Sequence, residues 1–205
     1  MSRLITASIV GSVEWLKHCP ASWKERAAKD LKNQLARVWT ESSVAQQRGM
    51  SFEDAVCAAT KQEPKGTEHF RAIVEECRGG EFQRVTKTFL TIDGQEYCLY
   101  GKIDVYFPTI LKDIKTTGNY KGADHYTDTF QHVLYCFNEQ VPDFRYLVAE
   151  FDGETDKLVN HHFVDAKLDL SMLEEEVVST VRSFIGFLMA HRELFELYTT
   201  TFSRK

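Results

Sequence analysis

Asp113-Ile-Lys115 sets an acid and a base two residues apart. On a β-strand, where successive side chains alternate between faces, both leave the same face while Ile114 turns into the core. Upstream, Gly101-Lys-Ile-Asp104 ends on a second carboxylate. Two carboxylates on neighbouring strands can share a hard, oxygen-preferring cation such as Mg²⁺ or Mn²⁺, with the Ile114 carbonyl as a further oxygen. Lys115 beside them is a compact positive charge that can orient or help deprotonate an attacking water and stabilise charge on a phosphate. Metal-assisted phosphodiester hydrolysis asks for these parts. A lone Asp-x-Lys, however, equally describes a surface ion pair, so the tripeptide needs company.

Company is present on both sides. Gln131-His-Val-Leu-Tyr135 puts a glutamine and a tyrosine four apart, on one helical face. Gly49-Met-Ser-Phe-Glu53 adds a carboxylate on a helix after a glycine.

The elements that must position these residues are legible from periodicity. Two helices are expected in the first forty residues. Ser8 caps the first, which ends at Cys19-Pro20, and the second spans about Ala21 to Trp39 with Trp23, Ala27, Leu31, Leu35 and Val38 as its apolar stripe. Helices follow at about Ser43 to Thr60, with an alternative start at Ser51, and at Thr67 to Cys77. The period then changes. Phe82 to Ile92 and Glu96 to Phe107 read as strands joined by an Asp93-Gly94 hairpin, with a third strand at Ile110 to Lys115. A helix from Asp124 to Phe137 leads to strands at Phe144 to Phe151 and Lys157 to Val164. A closing helix opens with a Ser171/Glu174 capping box and carries Leu173, Val177, Val181, Phe184 and Leu188. This is an α/β chain expected to form a single domain over residues 1–205, with 1–42 as its N-terminal helical part: a central mixed sheet flanked by helices.

Order, spacing and residue types together resemble the RecB-like and lambda-exonuclease-like (YqaJ) branch of the PD-(D/E)XK nucleases, with a restriction-endonuclease-like fold. The pattern is a helical Gly-x-x-x-Glu, Gly-x-x-Asp on a strand, Asp-x-Lys, then Gln-x-x-x-Tyr, and Ser8, Cys19-Pro20 and Trp23 resemble the N-terminal helix pair of RecB-like members. Glu53 stands where RecB itself has histidine, and Asp113 where glutamate is commoner. The resemblance covers about two thirds of the chain, Ser8 to Tyr135. It implies that Asp104 and Asp113 are metal ligands with the Ile114 carbonyl assisting, that Glu53 is a further ligand, direct or through water, and that Lys115 is the catalytic lysine. Gln131 and Tyr135 would hold the scissile phosphate and the strand. The implied function is a DNA exonuclease acting in replication, repair or recombination, phage-encoded and cytoplasmic. A flap or junction endonuclease, or an inert DNA-binding module of the same fold, are the alternatives. Iron–sulfur members need a cysteine trio near the C-terminus, and no cysteine follows Cys136.

Net charge is -5, which does not advertise a partner such as DNA, but charge is uneven. Arg26, Lys29 and Lys32 form a helical row of cations that the resemblance places beside the active-site entrance, and Lys121 follows the third strand. An acid-rich stretch runs from Glu150 to Glu176. The five scattered cysteines are expected to be reduced and mostly buried, and no apolar run is long enough for a membrane span. His161 and His162 face opposite ways on a strand and cannot chelate one metal. His125 is expected in solvent. Tyr120 and Tyr126 are positioned to stack on bases or to be rim aromatics, and Trp15, Trp23 and Trp39 are expected in the core.

Overall fold

A computed structural model describes residues 2–38 and 41–204. The first half runs β1 (Ser2–Ile5), α1 (Ala7–His18), a 3-10 turn (Ala21–Trp23), α2 (Lys24–Leu35), α3 (Val44–Ala59) and α4 (Glu68–Cys77). Then come β2 (Glu81–Ile92), β3 (Gln95–Tyr106), β4 (Leu111–Thr117), α5 (Asp124–Thr127), α6 (Phe130–Glu139) and β5 (Asp143–Phe151). β6 (Leu158–Lys167), α7 (Leu170–Ala190), α8 (Arg192–Thr201) and β7 (Ser203–Arg204) complete it.

The strands make a seven-stranded mixed sheet in the order β6-β5-β4-β3-β1-β7, with β2 paired to β3. β2 lies along the whole of β3 through the Asp93-Gly94 hairpin, leaving the other edge of β3 to β1 and β4. β4 and β5 are parallel, so a crossover must join them, and α5 and α6 supply it. Two cores fill the two faces. One joins Val10 of α1, Leu31 of α2, Leu134 of α6, Phe184 of α7 and Tyr198 of α8 to the sheet. The other sets Phe52 and Val56 of α3 and Ile73 and Val74 of α4 against Ile114, Leu147 and Ala149. The expected stripe of α7 is buried throughout, from Leu173 to Leu188.

Local chemistry differs from expectation at several element ends. α1 is capped by Thr6, whose hydroxyl accepts from the Ile9 N–H, because the chain leaves β1 extended through that residue; Ser8 is already inside the helix. α3 starts at the first of its two expected positions, where Ser43 and Gln46 form a reciprocal capping box. α7 starts from Asp169, which takes both the N–H and the hydroxyl of Ser171, so the expected Ser171/Glu174 box does not form. The helix expected from Asp124 to Phe137 is broken at Thr129, which is extended and gives its hydroxyl to the Tyr126 carbonyl.

The second helix is also shorter than expected. Ala27, Leu31 and Leu35 are buried, but Trp23 is 47% exposed and Val38 56%. Trp15 is 52% exposed, so neither it nor Trp23 is a core residue; Trp39 lies outside the described residues. β1, β7 and α8 do not follow from the sequence pattern. A strand of four residues or fewer shows no period, and β1 is a strand only because β3 offers it Tyr97 to Leu99. Cys19, Cys77, Cys98 and Cys136 are buried and Cys57 is half-buried.

Candidate active site

β4 is a central strand whose first four residues are all buried, yet two of them, Lys112 and Asp113, are charged. Buried charge must be paired. Alternation sends the two to opposite faces. Lys112 goes towards α4, donating to the Glu76 carbonyl at 2.6 Å and carboxylate at 2.8 Å. Asp113 goes with Lys115 towards α6.

The β3–β4 ladder holds for two residue pairs only, Val105 with Lys112 and Tyr106 with Leu111. Beyond them the strands part. Into that gap Asp104 extends its carboxylate, and Oδ2 accepts the Ile114 N–H at 2.9 Å in place of a backbone partner. The Ile114 carbonyl leaves the same edge of the strand as its N–H, so it faces this gap too.

On the other side of the gap Asp113 is 1% exposed. Its Oδ1 accepts from the Gln131 side-chain amide, and the Gln131 oxygen accepts from Lys115 Nζ at 3.0 Å. Lys115 Nζ also lies 2.6 Å from Asp113 Oδ2 in an ion pair, and no other group bonds that buried oxygen. Tyr135, one turn beyond Gln131, is buried against the network and bonds to Gln131. Its ring explains Gly101: a Cβ there would come within 2.2 Å of Tyr135 Cε1. Gly49, by contrast, has the Thr116 hydroxyl 3.4 Å from where its Cβ would be, tight but tolerable.

Electrostatically the site is crowded with negative charge. Burial, then the Asp113 and Glu53 carboxylates, push Asp104 up to about 8, against the Ile114 N–H and Lys115. Glu53 on α3 is raised too, by burial and then by Asp113, with Lys102 pulling the other way. Burial would lower Lys115, but the Asp113 and Asp104 carboxylates outweigh it and hold the ammonium above its ordinary value. Burial raises the Tyr135 hydroxyl to about 12, so it stays protonated.

Thus Asp104, Asp113, Lys115, Gln131 and Tyr135 are brought together, with Glu53 within electrostatic reach. The three carboxylates do not converge as a ready-made cage. Among the described residues no three His, Cys, Asp or Glu side chains are close enough together to hold a metal ion. Asp113 is instead taken up by Gln131 and Lys115, and Asp104 by Ile114. The donors nevertheless suit a hard divalent cation: all are oxygens, one buried carboxylate oxygen is met by the lysine alone, and the neighbouring carboxylates repel one another.

The remaining candidates fall outside this cluster. Arg26, Lys29 and Lys32 are exposed on α2; Arg26 pairs with Asp30 at 3.8 Å and Lys32 with Glu193. Lys121 is exposed in the loop after β4. That loop is anchored by Glu150, which accepts the Tyr120 N–H at 3.0 Å and His162 Nε2 at 2.8 Å, while Tyr120 stacks flat on His162 at 3.7 Å. Tyr126 is buried and Tyr120 has a face covered, so neither is an open platform for a base. His161 contacts His69 and not His162, as alternation requires, and His125 is exposed. Lys102 and the Glu150–His162 anchor are additions that the sequence motifs do not include. Lys102 had a signal, being two residues from Asp104 on one strand face; the anchor had none, because it joins neighbouring strands.

A groove of about 1210 Å³ leads to this cluster between α1, α7 and the start of α6. Trp15, Lys115, Gln131 and Tyr135 line it, while Asp104, Asp113 and Glu53 do not.

Neither family models nor curated proteins match the chain. Solved structures do. An alkaline exonuclease (LHK-Exo) from Laribacter hongkongensis superposes with TM-score 0.54 at 18% identity, covering 97% of this chain and 94% of that one. The same exonuclease in complex with dAMP gives TM-score 0.50 at 20% identity, with the same coverage. The structure of SSO0001 gives TM-score 0.53 at 13% identity, covering 91% and 77%. The chain shares the fold of that alkaline exonuclease, a mixed sheet flanked by helices.

Proposed function

We propose that this protein is a divalent-metal-dependent deoxyribonuclease, and within that class an exonuclease of replication, repair or recombination. The observation that carries the reading is the gap where β3 and β4 part: two carboxylates, a backbone carbonyl and a charged lysine meet there, and of these the lysine also lines the groove. The exonuclease half rests on the named activity of the solved structures that share the fold.

Asp104, Asp113 and the Ile114 carbonyl would hold Mg²⁺ or Mn²⁺, with Glu53 joining directly or through water. When bound, the ion would polarise the phosphate and lower the pKa of a water at neutral pH. Lys115 would supply the positive charge that orients the water and neutralises the phosphate. Gln131 fixes the rotamers of both Asp113 and Lys115. Tyr135, kept protonated, seats Gln131 and closes the apolar floor against Gly101. Arg26, Lys29, Lys32 and Lys121 are proposed to meet DNA phosphates away from the scissile bond.

The test is incubation with end-labelled linear and circular DNA in Mg²⁺, Mn²⁺ or EDTA. Linear DNA should be shortened from its ends with either metal, circular DNA spared, and EDTA should abolish cutting. Asp113→Ala and Lys115→Ala should be folded and inactive. Binding without cutting in either metal refutes the enzyme, and cutting of closed circles refutes the exonuclease.

A further inference from the structure

The wall of the groove carries a side chain with no structural occupation. α1 buries Ile9, Val10 and Val13, and Trp15 turns away from them with half its surface free. Among the described residues no ring or cation stacks on Trp15, whereas the other exposed tryptophan described, Trp23, has the Arg26 guanidinium 5.5 Å from its ring. Gly11 lies on the same helical face four residues earlier. A Cβ at Gly11 would meet nothing within 4 Å. The ring stands half exposed in the groove that Lys115 and Gln131 also line.

Charge along the groove is balanced. Lys17, Lys102 and Lys115 are opposed by Glu14, Asp128 and Glu176, and Lys17 is already tied to Glu14 at 2.8 Å. Phosphate attraction alone cannot supply the affinity of a strand lying there, because counterion release scales with the free cations it meets. Stacking on an aromatic face can, and it needs a base that is out of a duplex. The volume, about 1210 Å³, exceeds the roughly 300–1,000 Å³ of small-molecule sites and suits a short run of one polymer strand.

We propose that Trp15 is a stacking platform for a base of single-stranded DNA, so that the substrate enters this groove as an unpaired strand. The proposal rests on the nuclease reading for the identity of the polymer, but its test is one of binding, in Ca²⁺ and with the labelled probe checked to remain intact. Fluorescence anisotropy is measured with a labelled oligothymidine, the same strand bearing one abasic position moved along it, and a matched blunt duplex. Trp15→Ala should weaken oligothymidine binding by about 5- to 150-fold, the equivalent of one base–aromatic stack, and Trp15→Phe should retain most of it. One abasic position should weaken the wild type and leave Trp15→Ala unaffected. The salt slope should be the same in both, since no charge is removed. Equal losses for duplex and single strand, or an abasic penalty that persists in Trp15→Ala, overturn the proposal. If the probes bind as described and no metal supports cutting, the nuclease reading fails and the stacking site stands. If DNA is cut and Trp15→Ala binds like wild type, the reverse holds.

Discussion

Gln131 holds Asp113 and Lys115 with one amide: its nitrogen donates to the carboxylate and its oxygen accepts from the ammonium at 3.0 Å. The two are themselves paired at 2.6 Å, and the amide fixes the rotamer of each. Gln131→Ala frees both rotamers. It should cost roughly 10–100-fold in apparent metal affinity or activity, as loss of partners that orient metal ligands does. Titrating the cleavage rate with Mg²⁺ checks this; a variant with an unchanged rate and metal midpoint would show that Gln131 is a bystander.

Crowding at Asp104 makes a prediction about stability. The buried carboxylate lies among other carboxylates, and Asn at this position can still accept the Ile114 N–H. In EDTA, Asp104→Asn should melt at or above the wild-type temperature. Mg²⁺ should stabilise the wild type, by about 2.7 kcal/mol at a hundredfold excess over Kd, and leave the variant unmoved. Differential scanning fluorimetry distinguishes the two, and an Mg²⁺ shift surviving in Asp104→Asn would place the ion elsewhere.

Gly101 is required by its neighbour and not by its backbone angle. Gly101→Ala forces a Cβ to 2.2 Å from the Tyr135 ring, which is buried and has little room to move. Overpacking of this kind costs about 1–3 kcal/mol. The loss should be largely relieved in Gly101→Ala/Tyr135→Ala relative to Tyr135→Ala alone. Urea unfolding of the four proteins measures the coupling, and additive losses would rule out the clash.

Glu76 joins α4 to the sheet through Lys112 and Arg145. Burial would raise its carboxyl, but the hydrogen bonds from those two cations outweigh it and hold it below the ordinary 4.5. Its contribution is therefore present above about pH 4.5 and lost as pH falls through the lowered value. Glu76→Gln leaves Lys112 buried without a counter-charge and should cost about 1–3 kcal/mol at pH 7, less than a fully buried pair because Glu76 is partly exposed. As pH falls through that lowered value the gap between variant and wild type should close; a gap that stays constant throughout would mean that charge is not its cause.

The basic row on α2 is testable through salt. Arg26 and Lys29 are exposed, while Lys32 is engaged by Glu193. Arg26→Glu/Lys29→Glu should raise Kd and lower the log–log salt slope by ~0.9 for each duplex phosphate that is no longer neutralised, with Lys32→Glu adding less. An unchanged slope would leave the row as a solvated helix face.

The grouping of Asp113, Lys115, Gln131 and Tyr135 was legible in the chain because each pair is local. Two-residue alternation put Asp113 and Lys115 on one face, four-residue spacing put Gln131 and Tyr135 on another, and runs of period two and 3.6 marked most strands and helices. What spacing cannot carry is the relation between elements. Only the tertiary structure decides that β3 and β4 part after two pairs, so that Asp104 replaces a backbone acceptor for Ile114. Only it turns β1 and β7 into strands, since four residues and two gain strand geometry from a partner's edge and not from their own pattern. Trp15 shows the limit most directly. Hydrophobicity assigned it to the core, yet burial is settled by which faces are covered; α1 turns its apolar face inward through Ile9, Val10 and Val13, and the tryptophan is left in the groove.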